Sequence, residues 1–365
     1  MHDFTSALYL GFGHPSASLA SWRALTLGRP AALEEPPGAR KLSQEMAHLL
    51  RTDAALTFPS TLHLFRDAFQ IAAPAGSVLL FDASSYPIAR WGAECAQLNG
   101  IAVETYPHHD AANLERRVRK ARRAGIRPVI VTDGLCPSCG RLAPLPALAH
   151  AAADAGGRLV IDDTQALGIL GAGPSPAQPL GLGGGGSLAW HGLSGSHILI
   201  GASLAKAFGA PLAVLAAASQ TVKSIMRDGE TRVHTSPPSA ADIAAARQAL
   251  IHNRNEGNDL RARIVRLVEQ LRAGLREIGL QLNSLLPLPM QTVAMPSLEA
   301  ARVALAALEA AGFRALVTRS CRGQTPSLTL LITTRHGPAE ISRLVAALTA
   351  AAGSSRFRRA RLEAA

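Results

Sequence analysis

The sequence predicts an α/β fold in two parts. A mainly parallel seven-stranded sheet with helices on both faces comes first, and a smaller C-terminal α+β domain follows. Three observations carry this reading. Between residues 54 and 217, short β-type runs alternate with helical runs, the pattern of strand–helix–strand units. Several of those runs are apolar at every position, as strands covered on both sides require. From about residue 236 long helical patterns replace the alternation.

The elements follow in chain order. Residues 1–45 read as an N-terminal arm, 46–235 as the large domain, and 236–365 as a linking helix and small domain. AALTFPS (54–60) is a strand and LHLFRDAFQIAA a helix. SVLLFDAS (77–84) is a strand, and IARWGAECAQLNG a helix ending at Gly100. IAVETYPHH (101–109) is a strand, and AANLERRVRKARRAG a helix. RPVIVTDGL (127–135) is a strand, and PLPALAHAAADAGG a helix with proline near its first turn and glycine past its end. RLVIDDTQ (158–165), HILIGAS (197–203) and PLAVLAA (211–217) complete the seven strands. Only LAKAFGA separates the last two, too short for a parallel crossover, so that pair should be antiparallel. The Gly/Pro/Ser segment 171–196 is a long loop of the kind that is often functional or mobile. SAADIAAARQAL and NDLRARIVRLVEQLRAGLREIG are long helical patterns. QTVAMPS, RALVTRS and SLTLLITT are strands of the small domain, with helices at 299–311 and 338–352.

Composition sets limits on function. The 365 residues are 48% hydrophobic and 17% charged, enough apolar material for a packed core. No run approaches the 18 apolar residues of a membrane span. The start, MHDFTSALYLGFGHP, lacks a basic stretch followed by an apolar one, so no secretion signal is expected; four cysteines in a chain this long make no disulfide framework, so a cytoplasmic protein is expected. The net charge of +11 comes almost wholly from arginine: 33 arginines stand against four lysines. The densest run, RRVRKARR (116–123), falls at helical spacing and reads as a solvated helix face. No nucleic-acid-binding signature accompanies it, so no nucleic acid partner is expected. Cys136 and Cys139 form CPSC, which fits a redox pair or half a zinc site. No second CxxC or His pair at ligand spacing accompanies it, so no metal is expected.

The chemistry gathers at the carboxyl ends of the strands, where open parallel sheets place ligands. Asp162 and Asp163 end RLVIDD, Ser203 ends HILIGAS, and Lys206 follows in the short connection. Ser60 and Thr61 stand before a helix, a natural phosphate site. Tyr86 follows SVLLFDAS. Lys206 is one of only four lysines, yet it sits in ASLAKAFGAPLAVLAA, a stretch built for burial. A desolvated lysine is a neutral nucleophile toward carbonyls. With a buried acid to pair a protonated ring nitrogen, it supplies what pyridoxal 5′-phosphate needs.

At these residues the chain resembles the fold-type I pyridoxal-phosphate-dependent enzymes, and within them the α-oxoamine synthases. The resemblance runs from YLGFGHP (9–15) to HGPAEISRLVAAL (336–348). SLAKAFG (203–209) resembles the family's lysine motif. It implies that Lys206 holds the cofactor as a Schiff base and that Ser203 touches its phosphate. VIDDTQALGILG (160–171) implies Asp162 as the partner of the pyridine nitrogen. VTDGLCPSCGRLAPLPAL (131–148) resembles the segment before it in that family. FPST (58–61) implies that Ser60 and Thr61 hold the phosphate, and DASSYP (82–87) that Tyr86 stacks on the ring. RVHTSPPS (232–239) implies that Thr235 acts across a homodimer interface.

Departures accompany the likeness. Gln165 stands where the synthases have His, able to donate a hydrogen bond to the ring but not to exchange a proton near neutral pH. Pro137 replaces a serine donor. Thr329 replaces the arginine that binds the amino-acid carboxylate, leaving Arg319 and Arg322 as substitutes. The Gly-rich segment near the N-terminus is altered to LGRPAALEEPPGARKLSQEMA. The resemblance implies an acyltransferase that condenses an amino acid with an acyl thioester, on CoA or an acyl carrier. An aminotransferase or lyase is the alternative, and a catalytically silent binding or scaffold protein the third reading.

Overall fold

The computed structural model describes residues 1–280, 282, 284–319, 321 and 325–353. Its elements, in chain order, begin with β1 (His2–Asp3) and α1 (Ala39–Leu50). The alternating region follows: β2 (Ala54–Phe58), α2 (Thr61–Ala72), β3 (Ser77–Asp82), α3 (Pro87–Leu98), β4 (Ala102–Tyr106), α4 (Ala111–Arg123), β5 (Arg127–Asp133), α5 (Leu145–Asp154) and β6 (Arg158–Asp162). Then come α6 (Gly186–His191), β7 (Ile198–Ser203), β8 (Ala213–Ala217), α7 (Ser219–Asp228), α8 (Glu230–His234) and α9 (Ala240–Glu277). The last elements are β9 (Met290–Ala294), α10 (Leu298–Ala310), β10 (Phe313–Arg314), β11 (Leu316–Arg319), β12 (Pro326–Leu331) and α11 (Pro338–Gly353).

The large sheet has seven strands in the order β2-β8-β7-β6-β5-β3-β4. All neighbours run parallel except β8, which is antiparallel to both β2 and β7. The short connection after β7 forces this: a chain that turns back within a few residues enters the sheet reversed. Strand side chains divide between two cores, as the two-residue period of a strand dictates. Leu79, Phe81, Val129, Val131, Val160 and Leu199 meet α2, α3 and α7 on one face. Val78, Leu80, Ile130, Leu159, Ile161 and Ile200 join the core shared with α1, α4, α5 and α9 on the other. Helices α2 and α3 pack closely because Gly92 carries no side chain; a Cβ there would lie 2.7 Å from Phe65 Cβ.

The small sheet is antiparallel, in the order β11-β12-β9. β1 pairs in parallel with β10, so the first residues of the chain join the C-terminal part. α1 runs unbroken across residue 45. Two further differences from the sequence reading stand out. The two helical patterns after residue 236 form one 38-residue helix, α9, opened by a Ser239–Asp242 capping box. The loop after β6 is folded rather than open: the pairs Leu167–Gly185, Ala172–Leu182 and Ser175–Gln178 bridge it. The basic run on α4 is a surface face, with Arg117, Arg119 and Arg122 paired to Glu104, Glu115 and Asp154. Among the described residues, no helix is long and apolar enough to cross a membrane.

Candidate active site

Three neighbouring strands end in polar groups at the same edge. β5 ends at Asp133, β6 at Asp162 and β7 at Ser203. Asp133 and Asp162 are register partners, so two carboxyls stand side by side. Both are buried. Burial first, then the adjacent Asp162 charge, pushes the Asp133 carboxyl far above the usual range. Burial also raises Asp162, while Thr164 and Lys206 oppose it. Asp162 Oδ1 accepts from the Thr164 amide at 3.0 Å, and Thr164 Oγ1 accepts from the Ser203 amide at 3.0 Å. Thr164 therefore ties the ends of β6 and β7 together.

Lys206 lies three residues past Ser203, in the reversal between β7 and β8. Burial lowers its pKa, and the nearby Asp162 charge only partly opposes this. Lys206, Asp162, Asp133, Gln165, Tyr86 and Thr61 line one cavity of about 170 Å³, with Ser203, Thr164, Leu135 and Pro137 completing the wall. Gln165 is held from behind. Tyr9, fully buried, donates its hydroxyl to Gln165 Oε1 at 2.9 Å, which leaves the amide NH2 as the donor for the cavity. At the Thr61 end, the first helical turn of α2 presents amides that precede its first intrahelical bond, Leu64 N–H to Ser60 O. Asp133 receives the Tyr86 amide at 3.2 Å on Oδ1, while its Oδ2 is buried without a partner.

Most of the residues expected from sequence thus meet in one place. Others do not. Ser60 caps α2, but its hydroxyl is engaged with His63 Nδ1 at 2.8 Å. Thr235 lines a separate groove of about 810 Å³ with Leu62, His63 and Trp91. Arg319 is exposed at the end of β11. Arg322 lies outside the described residues. Thr329 is buried in β12, its hydroxyl 2.8 Å from that of Thr318. Sequence reasoning missed Asp133, Thr164 and Tyr9. Asp133 had a usable signal, since it ends a strand as Asp162 does. Tyr9 had none, being 156 positions from its partner.

The cavity fits pyridoxal phosphate. It offers a primary amine whose charged form burial disfavours, a buried carboxyl pair with one unpartnered oxygen, the half-exposed Tyr86 ring, and free amides at a helix N-terminus for an anion.

The family model for aminotransferases of class I and II matches residues 10–316. The 8-amino-7-oxononanoate synthase of Dechloromonas aromatica is 31% identical over 317 residues, 84% of this chain and 76% of that one. The enzyme of the same name from Alkalilimnicola ehrlichii is 32% identical over 257 residues, 69% of this chain. The match spans 62% of that relative, less than two thirds of its length. Among solved structures, a serine palmitoyltransferase from S. paucimobilis superposes with a TM-score of 0.85 at 18% identity, over 99% of this chain and 88% of that one. The 8-amino-7-oxononanoate synthase from Francisella tularensis gives a TM-score of 0.75 at 18% identity, over 96% and 97%. At that identity the structures show a common fold, and the sequence matches carry the family. The chain belongs to the aminotransferase class I and II family of pyridoxal-phosphate-dependent enzymes, in its α-oxoamine synthase branch.

Proposed function

We propose that this chain condenses an amino acid with an acyl thioester, releasing the thiol and CO2 and leaving an amino ketone. The observation that supports it most is the pairing of a desolvated Lys206 with a buried Asp162 in one cavity. Pyridoxal phosphate, when bound, supplies an electron sink conjugated to the α-carbon of the amino acid. The remaining work belongs to the chain. Lys206 Nζ, whose charged form burial disfavours, accepts the α-proton. The Asp162 carboxylate holds positive charge at the ring nitrogen. Gln165, oriented by Tyr9, donates its amide to the ring substituent, and Tyr86 forms a flat wall. Thr61, Ser203 and the first amides of α2 receive the phosphate, with Ser60 at the turn. Thr235 serves the neighbouring subunit of a homodimer, and Arg319 or Arg322 meets the substrate. We further infer that residues 46–235 form the domain that holds the cofactor.

The test is direct. Wild type with cofactor should show a visible absorbance band that Lys206→Ala lacks. Adding the correct amino acid and thioester should release thiol and CO2 in equal amounts. Absence of both products across amino acids and acyl donors rules out the synthase reading.

One observation favours a second reading. No arginine lines the cavity among the described residues, and Thr329 is engaged within the small sheet. An amine substrate needs no carboxylate clamp, so an aminotransferase or lyase fits this feature better. Conversion of the bound cofactor to its amine form by an amino donor, without thioester, distinguishes the two. A silent scaffold is disfavoured, because it has no need of the Lys206–Asp162 pair.

A further inference from the structure

The CPSC segment has a setting that its sequence does not reveal. Residues 136–141 form a tight turn in which Gly140 N–H bonds Cys136 O at 2.9 Å and Cys136 N–H bonds Arg141 O at 3.0 Å. The Cys139 sulfur is the focus of four donors, one of them the Cys321 thiol. His108 Nε2 and Arg141 Nε each lie 3.4 Å from it, and the Cys136 thiol donates to it as well. His108 is itself oriented by Asp82, whose Oδ1 is 2.7 Å from His108 Nδ1. Asp82 also accepts the amides of Ser84 and His109, both at 2.8 Å. The result is a hydrogen-bonded series Asp82–His108–Cys139, with the Arg141 guanidinium also against the sulfur.

Donors arranged this way stabilise a thiolate. The Cys136 hydrogen bond first, then those of His108 and Arg141, hold the Cys139 thiol far below its usual range, while Cys136 is raised. Burial opposes a charge on His108, but Asp82 and Cys139 bring its pKa to about 9. Cys321 also comes within 4.8 Å of His108 and Cys139. Cys139 is 7% exposed.

We propose that Cys139 is a nucleophilic thiolate that reduces small hydroperoxides and is resolved by Cys136 as an intramolecular disulfide. The Cys139 sulfur attacks the peroxide's terminal oxygen and the O–O bond breaks. The leaving alkoxide or hydroxide takes the His108 Nε2 proton, and Cys139 becomes a sulfenic acid. The Cys136 sulfur then attacks the Cys139 sulfur, and its proton leaves with the hydroxyl as water. Two electrons pass from the cysteine pair to the peroxide, and any dithiol reductant restores the starting state.

The probe is hydrogen peroxide on the cofactor-loaded protein, followed by alkylation and peptide mass mapping. The Cys136–Cys139 disulfide should form at least about tenfold faster than half-buried Cys95 oxidises, and dithiothreitol should reverse it. Cys136→Ser should leave Cys139 as a dimedone-reactive sulfenic acid. Arg141→Gln alters an exposed side chain and should fold. At pH 6 it should slow Cys139 oxidation several-fold. Asp82, His108, His109, Arg141, Cys136 and Cys321 are the charged or titratable groups around the sulfur, directly or through His108. Equal oxidation of Cys95 and Cys139 overturns the proposal. A Cys139–Cys321 bridge overturns the role of Cys136. Zinc that copurifies and protects the thiols until it is chelated overturns it in favour of a metal centre.

Discussion

Tyr9 and Gln165 show how much one hydrogen bond decides. The glutamine's Oε1 is taken by a fully buried phenol at 2.9 Å, so its orientation is fixed before any ligand arrives. Tyr9→Phe removes that donor and leaves Oε1 without its partner. The cost is about 1 kcal/mol, and cofactor affinity should drop roughly fivefold by titration of the visible band while the fold stays intact. An unchanged affinity would show that Gln165 needs no support. Lys206 and Asp162 were legible in the sequence because both lie at strand ends in a motif with chemistry of its own. Tyr9 was not, because its role comes from a contact between distant parts of the chain. The Cys139 cluster was illegible for the same reason. CPSC announced two cysteines, but Asp82, His108 and Cys321 reach them only through the fold.

Helix α9 makes a comparable point for a whole element. The sequence divides it into two helical patterns because HNRNEG (252–257) lacks an apolar stripe. Those residues instead form a polar clasp. Arg261 is 2% exposed and donates to Gly168 O at 3.0 Å, Asn253 Oδ1 at 2.8 Å and Asn258 Oδ1 at 2.6 Å. Asn253 donates in turn to Gly183 O, and the Gly183 amide bonds Asn258. The loop after β6 is thereby pinned to α9. Gly257 leaves room for this: a Cβ there would lie 2.5 Å from Asn253 Oδ1 and 3.1 Å from Arg261 Nη2. At an ordinary mid-helix site, Gly→Ala stabilises by about 1 kcal/mol. Here Gly257→Ala should destabilise by about 1–2 kcal/mol, and the sign in a denaturant melt is the test. The strands were easier to read than this helix, because apolar runs between turn signals report the large sheet directly, whereas an inward polar face carries no period.

At the scale of the molecule, protons are shared between parts of the chain. In the folded state His108 keeps its proton to about pH 9, while Cys139 has given up its own. In the unfolded chain the imidazole is neutral above about 6.5 and the thiol protonated below about 8.5. Between those values each state holds one proton across the pair, so the pair adds no slope to stability. Cys139→Ser removes the compensating half. His108, still raised by Asp82, then contributes stability that is complete below about pH 6.5 and lost as pH rises toward its folded pKa. The variant's Tm should therefore fall between pH 6.5 and 8.5 by at least about 2 °C relative to wild type, and parallel curves would refute the pairing.

The two carboxyls at the ends of β5 and β6 carry a consequence of a different kind. Standing side by side and buried, Asp133 and Asp162 resist ionising together, and both are raised. A ligand that brings positive charge to them makes the second ionisation easy. Loading the cofactor should then change the number of protons that this pair holds. Titration calorimetry in buffers of different ionisation enthalpy should give heats that differ by the protons exchanged, and Asp133→Asn should alter that difference.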